Sequence, residues 1–214
     1  MDLEVDHGQD GGASPQRRRR GAALESALLD AVWDEVAERG YTELTYEAVA
    51  ARAGTSRSVV YRRWPTKREL VLAAIAHRGA ARSPLEAADT GSLRGDLLAV
   101  LRDFNARRAA VMVLFGTRLG PLYQEGGVSP SVTRDYWLGE RSSLMEVIVE
   151  RALARGEADP ARLTPRAQRA AMDLLRHDVL MELGPVPDQD IVEIVDDVVM
   201  PLFTGRAPEP RSAG

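Results

Sequence analysis

Six side chains within the seven residues 57–63, Arg57, Ser58, Val59, Tyr61, Arg62 and Arg63, place cations, hydroxyls and a branched methyl group on one short stretch. Ser56 before it and Pro65 after it predict a short helix over RSVVYRRW. Val60 and Trp64, four apart, turn inward with Val49 and Ala53, and the other side chains face solvent or a ligand. Such a face suits a DNA major groove: Arg pairs with guanine edges, Ser reaches a base edge or a phosphate, and Val meets thymine methyls. A solvated helical hairpin is the competing reading of the same pattern.

A second signal lies just downstream. The chain holds 27 arginines and one lysine, Lys67. Thr66-Lys67-Arg68-Glu69 has the spacing of a capping box, which starts a helix and leaves its first amides free. Those amides and the helix dipole attract anions, and a compact ammonium beside them adds a point charge for a phosphate. A single surface lysine placed there by chance is the plainer explanation.

The elements that must position these groups read as helices throughout. Leu28, Leu29, Val32, Trp33 and Val36 form one stripe, ended by Arg39-Gly40. Thr45 precedes a short helix, YEAVAARAG, and Gly54 can take the positive φ of a helix-turn-helix. A fourth helix follows to about residue 79, and ARSPLEAADTGS is a linker. Beyond it helices are expected over 92–105, 107–119, 130–155, 164–183 and 188–203, with Ser92, Ser129-Pro130 and Thr164-Pro165 as start signals. Pro201 leaves the last turn unsettled. The fold class is all-α: an N-terminal three-helix helix-turn-helix domain followed by a larger helical domain. The expected segments are a disordered, basic-ended arm (1–20), the helix-turn-helix and its linking helix (21–79), the helical domain (80–204) and a disordered tail (205–214).

Residues 28–75 resemble the TetR family of bacterial transcriptional regulators. The resemblance lies in LLDAVWDEVAERGY, then Thr45, then AVAARAGTSRSVVYRRWPTKREL, where several independent features keep register. It implies that Thr45 caps the second helix and binds a phosphate, with Tyr46 next to that contact. Thr55, Ser56, Arg57 and Ser58 would begin the recognition helix, Tyr61 would bind a phosphate, and Trp64 would be the structural aromatic. Lys67 falls on the family's phosphate-binding lysine. Arg62, Arg63 and Ser58 depart from the family's commoner choices, which concerns the operator that is read. Arg17, Arg18, Arg19 and Arg20 read equally as a minor-groove arm and as a solvated tail.

The resemblance also implies a palindromic double-stranded operator, a small-molecule effector and a homodimer. Dimerisation would use the last two helices, through Ala167, Ala170, Ala171, Leu174 and Met181 on one and Ile191, Ile194, Val195, Val198, Val199 and Leu202 on the other. The effector would lie among Phe104, Met112, Phe115, Tyr123, Trp137, Met145 and His177, with Arg118 as counter-charge; core packing competes for each.

Composition bounds the alternatives. No cysteine is present, which excludes disulfides and thiol chemistry. No apolar run reaches the ~18 residues of a membrane span, and the acidic start is not a secretory signal, so a cytoplasmic, nucleoid-associated protein is expected. Residues 15–70 hold 11 basic and 8 acidic residues, whereas the whole chain carries −4, so the basic third sits on an acidic body. His7, His77 and His177 lack metal-ligand spacing, and no phosphate-cradling glycine loop appears, so no metal, cofactor or catalysis is expected. A helical protein-interaction module or an α-helical enzyme remains the competing function.

Overall fold

The computed structural model describes residues 15–81, 86–138 and 144–205, without the side chains of residues 15–20 and 138. The chain runs through α1 (Pro15–Glu43), α2 (Tyr46–Arg52), α3 (Arg57–Arg63), α4 (Lys67–Ala80), α5 (Leu93–Arg118), α6 (Gly120–Gln124), α7 (Pro130–Leu138) and α8 (Leu144–Ala154). A 3-10 turn (Pro160–Arg162) leads to α9 (Pro165–Met181), then α10 (Asp188–Glu193), a π-helical turn (Ile194–Val199) and α11 (Met200–Thr204). No strand occurs among the described residues, so the all-α expectation holds.

Four start signals act as read, whereas Ser56 stands at the N-cap of α3 without a side-chain cap bond. The hydroxyls of Thr45, Thr66, Ser92 and Thr164 accept from the amides of Ala48, Glu69, Gly95 and Ala167, and each opens its helix. Thr66 and Glu69 close the full capping box, the Glu69 carboxylate accepting from the Thr66 amide at 3.0 Å.

Two expectations need correction. First, α1 begins at Pro15, so the backbone of the arginine block is helical rather than irregular; residues 1–14 and the Arg17–Arg20 side chains lie outside the described residues. Gly40 (φ 83°) breaks this helix before a last turn to Glu43. Second, α5 is one helix where two were expected. Asn105, a weak helix former, is held by tertiary bonds: its amide donates to the Val186 carbonyl and its carbonyl accepts from the Val186 amide. The expected helix over 130–155 is described as α7 and α8, and residues 139–143 between them lie outside the described residues. The apolar clusters do not follow the sequence order of the expected segments. One apolar cluster joins α1–α4 to Val111, Phe115, Leu119, Leu122, Val128 and Trp137. The other holds the N-terminal half of α5 with α8, α9 and the last helical segments.

Pro201 is accommodated rather than disruptive. It lacks an amide hydrogen and its ring crowds the carbonyl four residues back, and the π turn immediately upstream widens the helix there. The tail beyond Gly205 lies outside the described residues. Gly79 marks the tightest crossing: a Cβ there would strike the backbone carbonyl of Trp137, so only glycine lets α4 lie against α7. Asp96 anchors the start of α5. It is fully buried and accepts from the Thr90 amide (2.7 Å), the Thr90 hydroxyl (2.8 Å) and Arg155 (2.8 Å). Burial opposes its charge, but these donors outweigh it and hold the carboxyl below its ordinary range.

Candidate nucleic-acid interface

The turn between α2 and α3 is closed by backbone bonds. Gly54 takes φ 64°, and the Thr55 amide donates to Ala50 at 2.9 Å. Val49 and Val60 are fully buried, while Ala53 and Trp64 pack half-buried against the same core. Tyr46 fixes the far end of α3: its hydroxyl donates to the Trp64 carbonyl at 2.9 Å, and its ring meets Tyr61 edge-on at 5.8 Å. The donor of its hydroxyl is thus engaged within the motif.

The outer face of α3 carries Arg57, Ser58, Tyr61 and Arg62, all exposed. Ser56, Arg57, Ser58 and Tyr61 line a shallow concavity. The Ser56 and Ser58 hydroxyls bond each other at 3.0 Å, and Arg57 pairs with Glu47 of α2 at 3.1 Å. That pair is open to water, so it is weak and easily exchanged for another anion. Arg62 makes no hydrogen bond or ion pair among the described residues. Two side chains leave the expected face. Val59 packs half-buried on the core, and Arg63 is half-buried with Nη1 enclosed and without an acceptor among the described residues. Thr55 is half-buried at the turn.

Lys67 sits at the N-terminus of α4, as expected, but its ammonium is engaged. It donates to the Thr42 carbonyl at 2.9 Å and lies 4.8 Å from the centre of the Tyr41 ring. Burial pushes its pKa down, against the opposing pull of Glu125 and Glu43. Tyr41 in turn donates to Glu125 at 2.6 Å, and Arg68 donates to the Gly126 carbonyl at 3.1 Å. These bonds tie the turn after α6 to the helices behind the recognition face. Behind α2, Arg52 clamps Glu35 and Glu38 of α1 (2.9 and 2.6 Å). Neither the Tyr46 brace nor the Arg52 clamp was read from the sequence. Both are long-range pairs that local periodicity does not mark.

Two family models match the chain in agreement with this geometry. One, described as bacterial regulatory proteins of the tetR family, matches residues 28–74, and the other, described as the tetracyclin repressor-like C-terminal domain, matches 87–198. The chain belongs to the TetR family of bacterial transcriptional regulators. It is 33% identical over 188 residues to the HTH-type transcriptional regulator Rv1556 of Mycobacterium tuberculosis, covering 84% of this chain and 88% of that one. It is 29% identical to the DNA-binding transcriptional repressor TetR of Mycobacteroides abscessus, over 86% and 96% of the two chains. Among solved structures, the TetR family transcription regulator SCO0332 superposes with a TM-score of 0.54 at 25% identity, covering 82% of this chain and 96% of that one. This TetR-family chain is therefore a DNA-binding transcriptional regulator, with a helix-turn-helix domain and the family's C-terminal domain. No helix among the described residues is long and apolar enough to cross a membrane.

The residues expected around an effector do not converge on one site. Phe115, Tyr123 and Trp137 belong to the N-terminal cluster, where Trp33, Phe115 and Trp137 stack at 5.5 to 6.4 Å. Phe104, Met112 and Met145 belong to the other cluster. Arg118 and His177 are exposed. The expected dimer face is also divided. Ala171, Ile191, Ile194, Val195 and Val199 are buried within the protomer, and Ala167, Ala170 and Leu174 are half-buried. Met181, Val198 and Leu202 remain open, 64%, 38% and 40% exposed, joined by Leu183 at 61%, which was not expected.

Proposed function

We propose that the chain is a ligand-responsive homodimeric repressor that reads a palindromic operator through α3. The observation that carries this reading is the exposed face Arg57, Ser58, Tyr61 and Arg62 beside Lys67 at the start of α4. On that reading Arg57 and Arg62 address base edges, and Tyr61, Lys67 and the Thr45 end of α2 address phosphates. The relative named as a DNA-binding transcriptional repressor supports the sign of regulation. The apolar side chains Met181, Leu183, Val198 and Leu202 form the dimer contact, which places two recognition helices on successive major grooves. An effector favours a conformation whose half-site spacing no longer fits, and so releases the DNA. The protein works on the nucleoid in the cytoplasm and catalyses no turnover.

A mobility-shift titration on the DNA flanking the gene, with scrambled DNA as control and salt varied, tests the reading. A retained complex on the flanking DNA at salt that strips the control is the expected outcome. Equal affinity for both DNAs refutes it.

A further inference from the structure

Where α5, α7 and α9 meet, a guanidinium is enclosed without a full set of acceptors. Arg176 of α9 has only 23% of its side chain exposed, and its guanidinium lies 5.8 Å from the centre of the Phe104 ring of α5. Nη1 pairs with Asp173 at 3.2 Å, a residue three positions back whose side chain is 45% exposed. Nε is fully enclosed and has no acceptor among the described residues. Burial holds the arginine below its ordinary pKa, Asp173 opposes that only in part, and the nearby Arg134 of α7 adds a repelling charge. One turn along α5 from Phe104, the guanidinium of Arg108 lies 5.9 Å from the centre of the Trp137 ring. Buried guanidinium donors are normally satisfied, so an orphan Nε beside an aromatic face needs a reason.

We propose that Arg176 and Phe104 form a binding site for an organic anion, a carboxylate on a flat or chain-like apolar body. The fork of Nε and Nη takes the two carboxylate oxygens, and the apolar body lies along the Phe104 ring. A neutral analogue of the same shape leaves Nε unsatisfied, so the site selects for charge. Asp173 holds Nη1 until the ligand displaces it. The inference rests on the effector reading of the function and gives that effector a chemical class.

The test uses the full chain and three probe pairs: benzoate, 1-naphthoate and decanoate, each against its neutral amide. Thermal shift and isothermal titration report binding without DNA. At least one carboxylate should bind saturably and at least tenfold tighter than its amide. Arg176→Gln should remove that preference, and Asp173→Asn, which deletes the competing acceptor, should tighten the carboxylate. Because the Asp173 variant removes only a half-exposed carboxylate, it keeps the test decisive if the Arg176 variant fails to fold. No binding by any carboxylate, equal binding of acid and amide, or no tightening in the Asp173 variant overturns the proposal. Operator shifts run without probe separate the readings: DNA binding with no carboxylate binding sinks this site alone, and the reverse sinks the repressor reading.

Discussion

Lys67→Met gives a quantitative test of the interface. Lys67 is the first residue of α4, and its ammonium is bonded to Thr42 and lies over the Tyr41 ring, so a phosphate arriving there meets a charge already held in place. Each phosphate neutralised adds about 0.9 to the log–log slope of affinity against salt, or about 1.8 for the two lysines of a dimer. Over a fourfold rise from about 50 to 200 mM salt, the native protein should then lose about tenfold more affinity than the variant. The loss should be the same for operator and scrambled DNA, because a phosphate contact carries no sequence information. Fluorescence anisotropy at several salt concentrations measures both slopes. Folding should change by about 1–2 kcal/mol, since the variant loses one surface donor to a carbonyl and one cation–π contact with Tyr41. Parallel salt slopes, with affinities that differ by a constant or not at all, would show that Lys67 meets no phosphate and that its bond to Thr42 is its whole role.

Arg62→Ala should relax preference at one operator position by about 1–3 kcal/mol, read by binding to single-base operator variants, whereas Glu47→Gln should free Arg57 and tighten binding to all DNA. Gly79→Ala should destabilise the protein by about 1–3 kcal/mol in urea unfolding, because the clash is with backbone rather than a movable side chain. Asp96→Asn should cost about 1–3 kcal/mol, since a neutral amide accepts less well from the two Thr90 donors and from Arg155, which keeps Asp89 and Glu157. Asp96 also gives a pH dependence: a carboxyl with a depressed folded pKa stabilises above its unfolded value, and that stability is lost as pH falls through the folded one. Unfolding followed from pH 7 downward should therefore show a loss in the native protein that is smaller in Asp96→Asn. On the homodimer reading, the native protein should sediment as a dimer and Val198→Glu as a monomer with unchanged helix content.

What was legible in the sequence is what depends on neighbours along the chain. Thr45, Thr66, Ser92 and Thr164 cap as read because a cap needs only an amide three residues on. The turn at Gly54 and the inward Val60 follow from backbone sterics and helical period. What failed depends on the third dimension. Asn105 looked like a break because the Val186 backbone that holds it lies 81 residues away. Phe115 and Trp137 could be read as core or as ligand side chains, and they pack on Trp33 from α1, edge-on and tilted, a partner that periodicity within α5 or α7 cannot show. Ile191, Ile194 and Val195 formed a stripe wide enough for two neighbours, and the protomer's own α5 and α9 cover most of it. Arg176 was missed for the same reason. Beside Asp173 it reads as an ordinary i, i+3 surface pair, and only the packing of α5 against α9 encloses it.

The continuity of α5 bears on how the two functions of a regulator share one chain. A helix of 26 residues is about 39 Å long. Its N-terminal half, with Leu97, Leu101 and Phe104, belongs to the C-terminal core, and its far half, with Val111 and Phe115, belongs to the core of the DNA-binding helices. No flexible joint separates them, because Asn105 at mid-helix is pinned to Val186. Past its end, the turn at Glu125 and Gly126 is bonded directly to Tyr41 and Arg68. Tyr41 is also the ring under Lys67. A ligand that shifts Phe104 therefore moves a rod whose other end lies in the core under the recognition helix. On the repressor reading, a small tilt of α5 suffices to change where α3 and Lys67 stand, with no melting of either domain. The separation into a DNA-binding part and a regulatory part is then one of sequence, and mechanically the two share a single helix.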